Sequence, residues 1–369
     1  MRVKRQILFF KNDSGVIMII GLWILVVLSI LAIGLGRRTR INLALAKYTI
    51  AKTKSDYLAW AGINYTSKQM DNLTTEGTEN RIDTLYRCGV YFNDGQEAQD
   101  IFKEIPLKEG TFDIRYNIYD MLNSRIDVCY GIQDEGRRIN LNSLNSGNYE
   151  VLSYLLVLLG VQSATADEIA SSVVDWIDVD SDVFNAPFGA EDDFYMSQEK
   201  SYHCKNSIFN NIEEMLLIRS MDDEIFKKLK EYITVFPAQE ADFSINVNTA
   251  SEIVLKSFFY TFLDENQGTA SPADVDSLVY TILEYRRGPD GRPCTPDDRV
   301  IERNDIAAIP FTGPESGIFQ SASAQGKIKE ESSYYRIKAR GKSSFLDVVS
   351  EIEAVVDSES LAIVSWSKN

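Results

Sequence analysis

Seven acidic side chains are concentrated between residues 175 and 193, a stretch without lysine or arginine. They are Asp175, Asp178, Asp180, Asp182, Glu191, Asp192 and Asp193. Carboxylates this close repel one another unless water or a cation screens them, and calcium takes about six to eight oxygen ligands. The 178–182 spacing resembles the start of an EF-hand loop, but the glycine and the closing glutamate of that loop are missing. The residues alone therefore leave two interpretations open, a solvated acidic loop and a calcium site.

A second acidic segment, 288–298, reads GPDGRPCTPDD. Asp290, Asp297 and Asp298 supply carboxylates there, but two arginines lie close by in the chain. Glycine and proline at this density are typical of tight turns. We therefore expect a plain turn, with a second calcium site at the three aspartates as the alternative.

Residue types that most enzymes use for catalysis are scarce. His203 is the only histidine, which removes most histidine-dependent catalysis and most multi-histidine metal sites. No nucleophile and base accompany the acidic segments in a recognisable arrangement. We therefore expect no catalytic site; the alternative is a membrane-bound hydrolase that uses the acids of 175–193 with a metal.

The four cysteines are widely spaced and form no C-x-x-C pair, so a zinc or redox site is not expected. They are Cys88, Cys129, Cys204 and Cys294. Outside the cytoplasm they could form disulfides, and the sequence leaves all three full pairings open.

Charge is distributed unevenly along the chain. The first 40 residues contain seven basic residues and one acid, whereas residues 41–369 contain 31 basic and 53 acidic residues. Nucleic acid and anionic lipid are bound by basic groups that displace counterions, so a body this acidic repels both. It suits calcium-like cations or basic protein partners.

One long N-terminal helix must position everything that follows. Residues 16–36 are uncharged, and their 21 positions span roughly 31 Å as a helix, enough to cross a bilayer core. Apolar residues then recur at helical spacing, at Leu45, Tyr48, Ala51, Tyr57 or Leu58, Ala61 and Tyr65. No proline occurs before Pro106. We predict a continuous membrane and stalk helix over 16–65, rather than a cleaved secretory signal.

The rest of the chain divides into strand-rich and helical parts. Alternating residues predict strands at 111–121, 125–135 and 332–357, the last with a turn at 341–343. We expect them to form one antiparallel sheet packed on the stalk helix. Between them, helical spacing predicts helices at 151–160, 166–177, 211–221, 223–233, 249–263 and 273–287.

A near-repeat within the helical part has two possible meanings. Residues 139–143 and 245–249 share the pattern I-N-x-N-[ST], with Ser143 and Thr249 placed to cap a following helix. Similar openings occur in helix-hairpin-helix modules that bind DNA. Such modules need a glycine-rich hairpin and a basic surface, and neither follows here. Two capped helix starts are therefore favoured over a DNA-binding function.

An ordered set of segments resembles general secretion pathway protein K, a minor pseudopilin family of type II secretion systems. The segments are RRINLNSLN, VVDWIDVD, GAEDDFY, YHCKNSIFNNIEEMLLI, YITVFP, INVNTA and YYRIKARG. The basic leader ending in Ser14-Gly15 is similar to a prepilin leader, which implies cleavage by prepilin peptidase between Gly15 and Val16, and methylation. Ile20 then stands fifth in the mature chain, where most pilin-like proteins carry a glutamate that neutralises a neighbour's amine.

The resemblance implies a role at the end of a filament. The missing glutamate is a feature of the K-type subunit and fits a tip position. The implied partners are the I- and J-type minor pseudopilins, the major pseudopilin, prepilin peptidase and the inner membrane, with no nucleic acid. The bulk of the chain would lie in the periplasm. K-type proteins also bind calcium in the helical part, and for this chain Asp178, Asp180, Glu191 and Asp192 are the first candidate ligands.

The resemblance and the residues together predict an α+β fold: a pilin-like helix packed on an antiparallel sheet, with a large helical, SAM-like insertion. The expected divisions are a leader at 1–15, a transmembrane and stalk helix at 16–65, a strand region at 66–138, a helical insertion at 139–328 and C-terminal strands at 329–369.

Overall fold

The computed structural model describes residues 14–75, 98–120, 125–239, 242–263, 270–293, 295, 298–302 and 309–368. Its helices are α1 (Ser14–Thr75), α2 (Ala98–Phe102), α3 (Glu150–Leu158), α4 (Ser163–Ile177), α5 (Asp192–Met196), α6 (Asp223–Leu229), α7 (Glu252–Tyr260), α8 (Pro272–Arg286) and α9 (Gly313–Ala324). Its strands are β1 (Ile105–Leu107), β2 (Gly110–Asp120), β3 (Arg125–Tyr130), β4 (Gln133–Asp134), β5 (Ile139–Asn140), β6 (Ile233–Thr234), β7 (Ile245–Asn246), β8 (Ile328–Lys329), β9 (Tyr334–Ser343), β10 (Val349–Asp357) and β11 (Ile363–Lys368).

The predicted stalk helix is present and extends further than expected, to Thr75. Its C-terminal half buries one face against the sheet, through residues spaced three or four apart: Ala51, Ser55, Leu58, Ala59, Ile63, Thr66 and Met70. Of the two alternatives at 57 and 58, Leu58 is buried and Tyr57 is exposed. The small side chains in this face allow the sheet to approach the helix backbone closely.

The sheet is antiparallel, in the order β1-β2-β9-β10-β11, with β3 beside the far end of β2 and β4 beside β9. Its face toward α1 carries alternate apolar residues of β2, β9 and β10, among them Ile114, Ile337 and Ile352. This arrangement confirms the predicted long helix on an antiparallel sheet. The short edge strands β1 and β11 were not predicted.

The turn predicted at 341–343 is wrong. These residues belong to β9, which pairs with β10 as far as Lys342 opposite Val349, so the chain turns after Ser343. The reason is the stalk. A Cβ atom at Gly341 would lie 2.1 Å from the Ser55 carbonyl oxygen and 2.5 Å from the Ala59 nitrogen. Gly341 therefore permits the contact between β9 and α1 and does not form a turn.

The helical part lies between β4 and β9 and has its own apolar core. α3 packs against α4 and α7, α7 packs against α8, and α8 packs against α9. Two short parallel ladders close it: β5 with β6 and β7 with β8. The segment predicted as a helix at 211–221 is a shorter 3₁₀ helix, Ile212–Leu217.

Ser143 and Thr249 do not cap helices, so that prediction is wrong. α3 begins seven residues after Ser143 and α7 three residues after Thr249, and the Thr249 hydroxyl donates to Asp134 Oδ2 at 2.6 Å. The repeat instead provides two equivalent clamps. Asn142 bonds both the N–H and the carbonyl of Phe209 (2.7 and 3.0 Å), and Asn248 bonds both groups of Ile301 (2.7 and 3.1 Å).

A buried ionic cluster joins the helical part to the sheet. Glu135, fully buried, accepts hydrogen bonds from Arg336 of β9 (2.5 and 3.0 Å), from Arg138 (2.8 Å) and from the Thr234 hydroxyl of β6. Arg336 also pairs with Glu353 of β10. Burial alone would raise the pKa of Glu135, but the charges of Arg138 and Arg336 outweigh it and lower that pKa to about 2.

The cysteines differ in state. Cys129 is disulfide-bonded, whereas Cys204 is a buried free thiol. Cys88 and Cys294 lie outside the described residues.

Candidate functional site

The N-terminal half of α1 exposes its apolar side chains on every side. By length and composition this helix can cross a membrane once. Gly15 lies in its first turn and Ile20 is 54% exposed, while residues 1–13 and the Val16 side chain lie outside the described part of the chain. Leader cleavage at Gly15–Val16 stays a prediction.

The acidic segment 175–193 comprises the end of α4, the connecting loop and the start of α5. α4 ends at Ile177, and the Asp178 N–H closes its last turn on the Val174 carbonyl. The chain then loops outward and returns to start α5 at Asp192. The seven acids therefore do not share one environment: the end of α4 and Glu191 face the interior, and the loop between them faces solvent.

Asp175 is fully buried and organises the returning loop. Its carboxylate accepts the N–H groups of Phe184 (2.7 Å) and Ala190 (2.5 Å). Gly189 makes this possible, since a Cβ atom there would lie 2.2 Å from Asp175 Oδ2. Burial raises the pKa of Asp175 to about 6 despite the two N–H donors.

Glu191 and Asp178 are the unusual members of the segment. Glu191 is 3% exposed, and neither of its carboxylate oxygens accepts a well-formed hydrogen bond, although the Cys204 thiol and the Asp192 N–H lie near enough to oppose the rise in its pKa. The buried Oδ1 of Asp178 likewise has no well-formed hydrogen bond. The neighbouring Cys204 thiol donates to the Asp175 carbonyl at 3.4 Å. Burial, followed by the charges of Asp175 and Asp178, raises the pKa of Glu191 to about 7. Burial and the charge of Asp180 raise the pKa of Asp178 to about 6.

The other two candidate ligands have partners already. Asp180 is exposed and its Oδ1 accepts the Asp182 N–H at 2.9 Å. Asp192 Oδ1 accepts the Cys204 N–H at 2.7 Å, and its Oδ2 lies 3.0 Å from Nδ1 of His203, whose hydrogen bond lowers the pKa of Asp192. Both carboxylates therefore have roles in the loop itself.

Asn206 supplies a further oxygen that could bind a metal ion, and the sequence did not single it out. Its side-chain nitrogen donates to the Asp180 carbonyl at 2.8 Å, and its Oδ1 is buried without a partner. Asn206 adopts a left-handed backbone conformation, with φ of 44°. No local pattern around residue 206 indicates this role, because it depends on a contact with a loop 26 residues earlier.

The unpartnered buried oxygens are of the chemical kind that calcium binds. Unpartnered buried carboxylates are costly unless a cation or a proton compensates them, and calcium accepts carboxylate, amide and backbone oxygens together with water. Within the described residues no three Asp, Glu, His or Cys side chains converge as a complete metal site. Calcium would therefore use Asp178, Glu191 and Asn206 with backbone oxygens or water, and would supply charge neutralisation only.

The second segment is arranged as a turn. Asp290 Oδ1 accepts the Arg292 N–H at 2.7 Å and the Thr295 hydroxyl at 3.3 Å. The Asp298 N–H bonds the Thr295 carbonyl, and Asp297 lies outside the described residues. A second calcium site stays an untested alternative.

Comparison with known proteins finds a family resemblance in the first part of the helical region. Residues 137–238 match the family model described as type II secretion system (T2SS), protein K. This part of the chain is similar to protein K of type II secretion systems. The match covers the acidic segment, Asn206 and the first clamp, and it confirms the resemblance carried by the sequence segments.

Two curated relatives carry the same description. The chain is 36% identical over 107 residues to a putative type II secretion system protein K of Escherichia coli (strain K12). It is 29% identical over 151 residues to type II secretion system protein K of Pectobacterium carotovorum subsp. carotovorum. These alignments span 32% and 45% of the relatives and 29% and 38% of this chain.

The fold extends beyond the aligned sequence. A chain in the crystal structure of the GspK-GspI-GspJ complex from enterotoxigenic Escherichia coli superposes with a TM-score of 0.56 at 17% identity. The superposition covers 90% of this chain and 99% of that chain. The α+β architecture is thereby confirmed.

Proposed function

We propose that the protein is a minor pseudopilin of a type II secretion system, a structural subunit at the tip of the pseudopilus. It would assemble with I- and J-type minor pseudopilins to initiate the filament and support protein export. The observation that carries the proposal is the exposed stalk α1 joined to a sheet and a protein K domain. The solved complex of GspK with GspI and GspJ supports this choice of partners.

The stalk requires neighbours outside the membrane as well as within it. Beyond the basic residues at 37–40, Ile41, Leu45 and Tyr48 are each more than 50% exposed. A soluble helix that exposes large apolar residues along its length marks an interaction surface. Packing against the stalk helices of other subunits would cover these residues.

The helical insertion favours the tip. It adds a second core beside the sheet, with a volume that another subunit stacked above would have to avoid. Since Ile20 offers no carboxylate to a neighbour's amine, the sequence and the shape favour the same position. The inner membrane anchor and a periplasmic head are part of the proposal.

The role is structural and does not involve catalysis or DNA. The relatives are described as secretion system proteins. The I-N-x-N-[ST] segments that suggested DNA binding are used inside the protein, where Asn142 and Asn248 bond the backbone of Phe209 and Ile301. Their amide groups are already bonded within the protein, so the described residues do not favour that alternative.

Leu45→Glu is expected to weaken assembly with the I- and J-type proteins by at least about tenfold, because a carboxylate covered by a neighbouring stalk lacks a partner. The measurement is co-purification of the three full-length proteins from detergent-extracted membranes. Lys47→Glu is the matched control, since Lys47 is an exposed polar residue of the same helix turn. Equal recovery of the partners by both variants would contradict the proposed stalk interface.

A further inference from the structure

Arg219 binds the backbone of the loop that leads into Glu191. It follows the 3₁₀ helix Ile212–Leu217, and its Nη1 donates to three successive carbonyl oxygens, those of Pro187 (2.9 Å), Phe188 (3.3 Å) and Gly189 (2.9 Å). A guanidinium is a rigid planar donor, so contacts with three carbonyls fix the path of the backbone between them.

Arg219 is itself held by α4. Its Nη2 donates to Glu168 Oε1 at 3.1 Å, and the adjacent Ser220 hydroxyl donates to Glu168 Oε2 at 2.5 Å. Ser220 has a φ of 61°, a left-handed conformation that serine rarely adopts, and the Glu168 contact stabilises it. Glu168 lies in the same helix as Asp175, so one rigid element supports both sides of the loop.

The opposite side of the loop is fixed by Asp175. Asp175 accepts the N–H of Ala190, while Arg219 binds the carbonyls immediately before it. After Glu191 the chain enters α5, where the Phe194 ring lies 5.1 Å from the Arg219 guanidinium carbon. Arg219 therefore contacts the backbone that precedes Glu191 and the Phe194 side chain that follows it. The two carboxylate oxygens of Glu191 are buried between these contacts.

We propose that Arg219 is the positioning residue of the calcium site, which holds the Glu191 carboxylate in place without touching the ion. The inference rests on the calcium assignment described for the candidate site. For Arg219→Ala it predicts a change in calcium affinity opposite to the one expected from electrostatics alone. Removing a nearby cation should strengthen calcium binding by Coulomb's law, whereas losing the position of Glu191 should weaken it.

The test is calorimetric titration of calcium chloride into the detergent-solubilised full chain. Arg219→Ala should raise the calcium dissociation constant by about tenfold or more, the size expected when a supporting residue of a metal site is lost. Arg219→Lys keeps the charge but not the planar fork, and it should also weaken binding. The control is Lys205→Ala, which removes a cation of similar exposure that pairs with Glu214 at 2.7 Å.

Lys205→Ala should bind calcium at least as tightly as the parent chain does, because it removes a cation without changing the position of Glu191. Unchanged or tighter binding by Arg219→Ala would overturn the positioning role while leaving the calcium site intact. Absence of binding by the parent chain would overturn the calcium assignment as well. Melting curves in chelator show whether each variant is folded. If Arg219→Ala does not fold, Arg219→Lys replaces it, and unchanged or tighter calcium binding by that variant would overturn the positioning role.

Discussion

Glu135→Ala is expected to lower the free energy of unfolding by about 3–5 kcal/mol, the cost of breaking a buried ion pair from one side. The variant leaves Arg138 and Arg336 buried beside each other without the carboxylate that they share. Because these contacts join β6 and β9, the loss would weaken the attachment of the helical part to the sheet. Urea unfolding of the detergent-solubilised full chain, followed by tryptophan fluorescence, measures the change.

The control for this variant is Glu109→Ala, which breaks an exposed ion pair with Lys54. Solvent screens exposed pairs and leaves them little effect on stability, so the control should unfold almost like the parent chain. Equal destabilisation of the two variants would show that the buried cluster has no special role in stability.

Glu135→Ala should also alter the way in which the free energy of unfolding depends on pH. The folded pKa of Glu135 is about 2, below the value of 4.5 for an unperturbed glutamate. A lowered pKa stabilises the folded state above pH 4.5, and that contribution is lost as the pH falls from 4.5 toward 2. Glu135→Ala should therefore lose less stability over this range than the parent chain. Asp134, whose pKa burial raises, contributes with the opposite sign in both proteins.

Calcium is expected to raise the melting temperature of the full chain, and Glu191→Gln should abolish that rise. At a calcium concentration of about one hundred times the dissociation constant, binding adds about 2.7 kcal/mol to stability. At pH 8 without calcium, Glu191→Gln should melt higher than the parent chain, because it removes a buried charge whose pKa is raised to about 7. One substitution thus stabilises the protein in chelator and destabilises it, relative to the parent, in calcium.

Asp182→Asn is the matched control, since it removes one charge from the exposed part of the same loop. It should keep the calcium-dependent rise in melting temperature. Melting of the parent chain that does not differ between calcium and chelator would exclude a structural calcium ion at this site.

Local patterns predicted the architecture because the relevant contacts are periodic in sequence. The stalk helix, β2, β9 and the helices near 151–177 all follow from the spacing of their apolar residues. Gly341 was misassigned for the same reason: a glycine between alternating segments is typical of a turn, and its contact with Ser55 of α1 cannot be seen locally.

The polar interior could not be predicted from spacing. Glu135 is bound by Thr234 and Arg336, which lie 99 and 201 residues further along the chain. Acidic residues at 175–193 indicated a cation, but the sequence could not separate the buried Glu191 from the exposed Asp180. That distinction depends on Arg219 and Asp175 folding the loop back, and on Asn206, which reaches the loop from a later segment.

The measurement that tests the central claim most directly is the N-terminal sequence of the membrane-extracted protein, with and without prepilin peptidase. A tip pseudopilin is matured as its filament partners are, so the chain should start at Val16 only when the peptidase is present. A chain that still starts at Met1 with an active peptidase would be an anchored periplasmic protein, and the pseudopilin function would be contradicted.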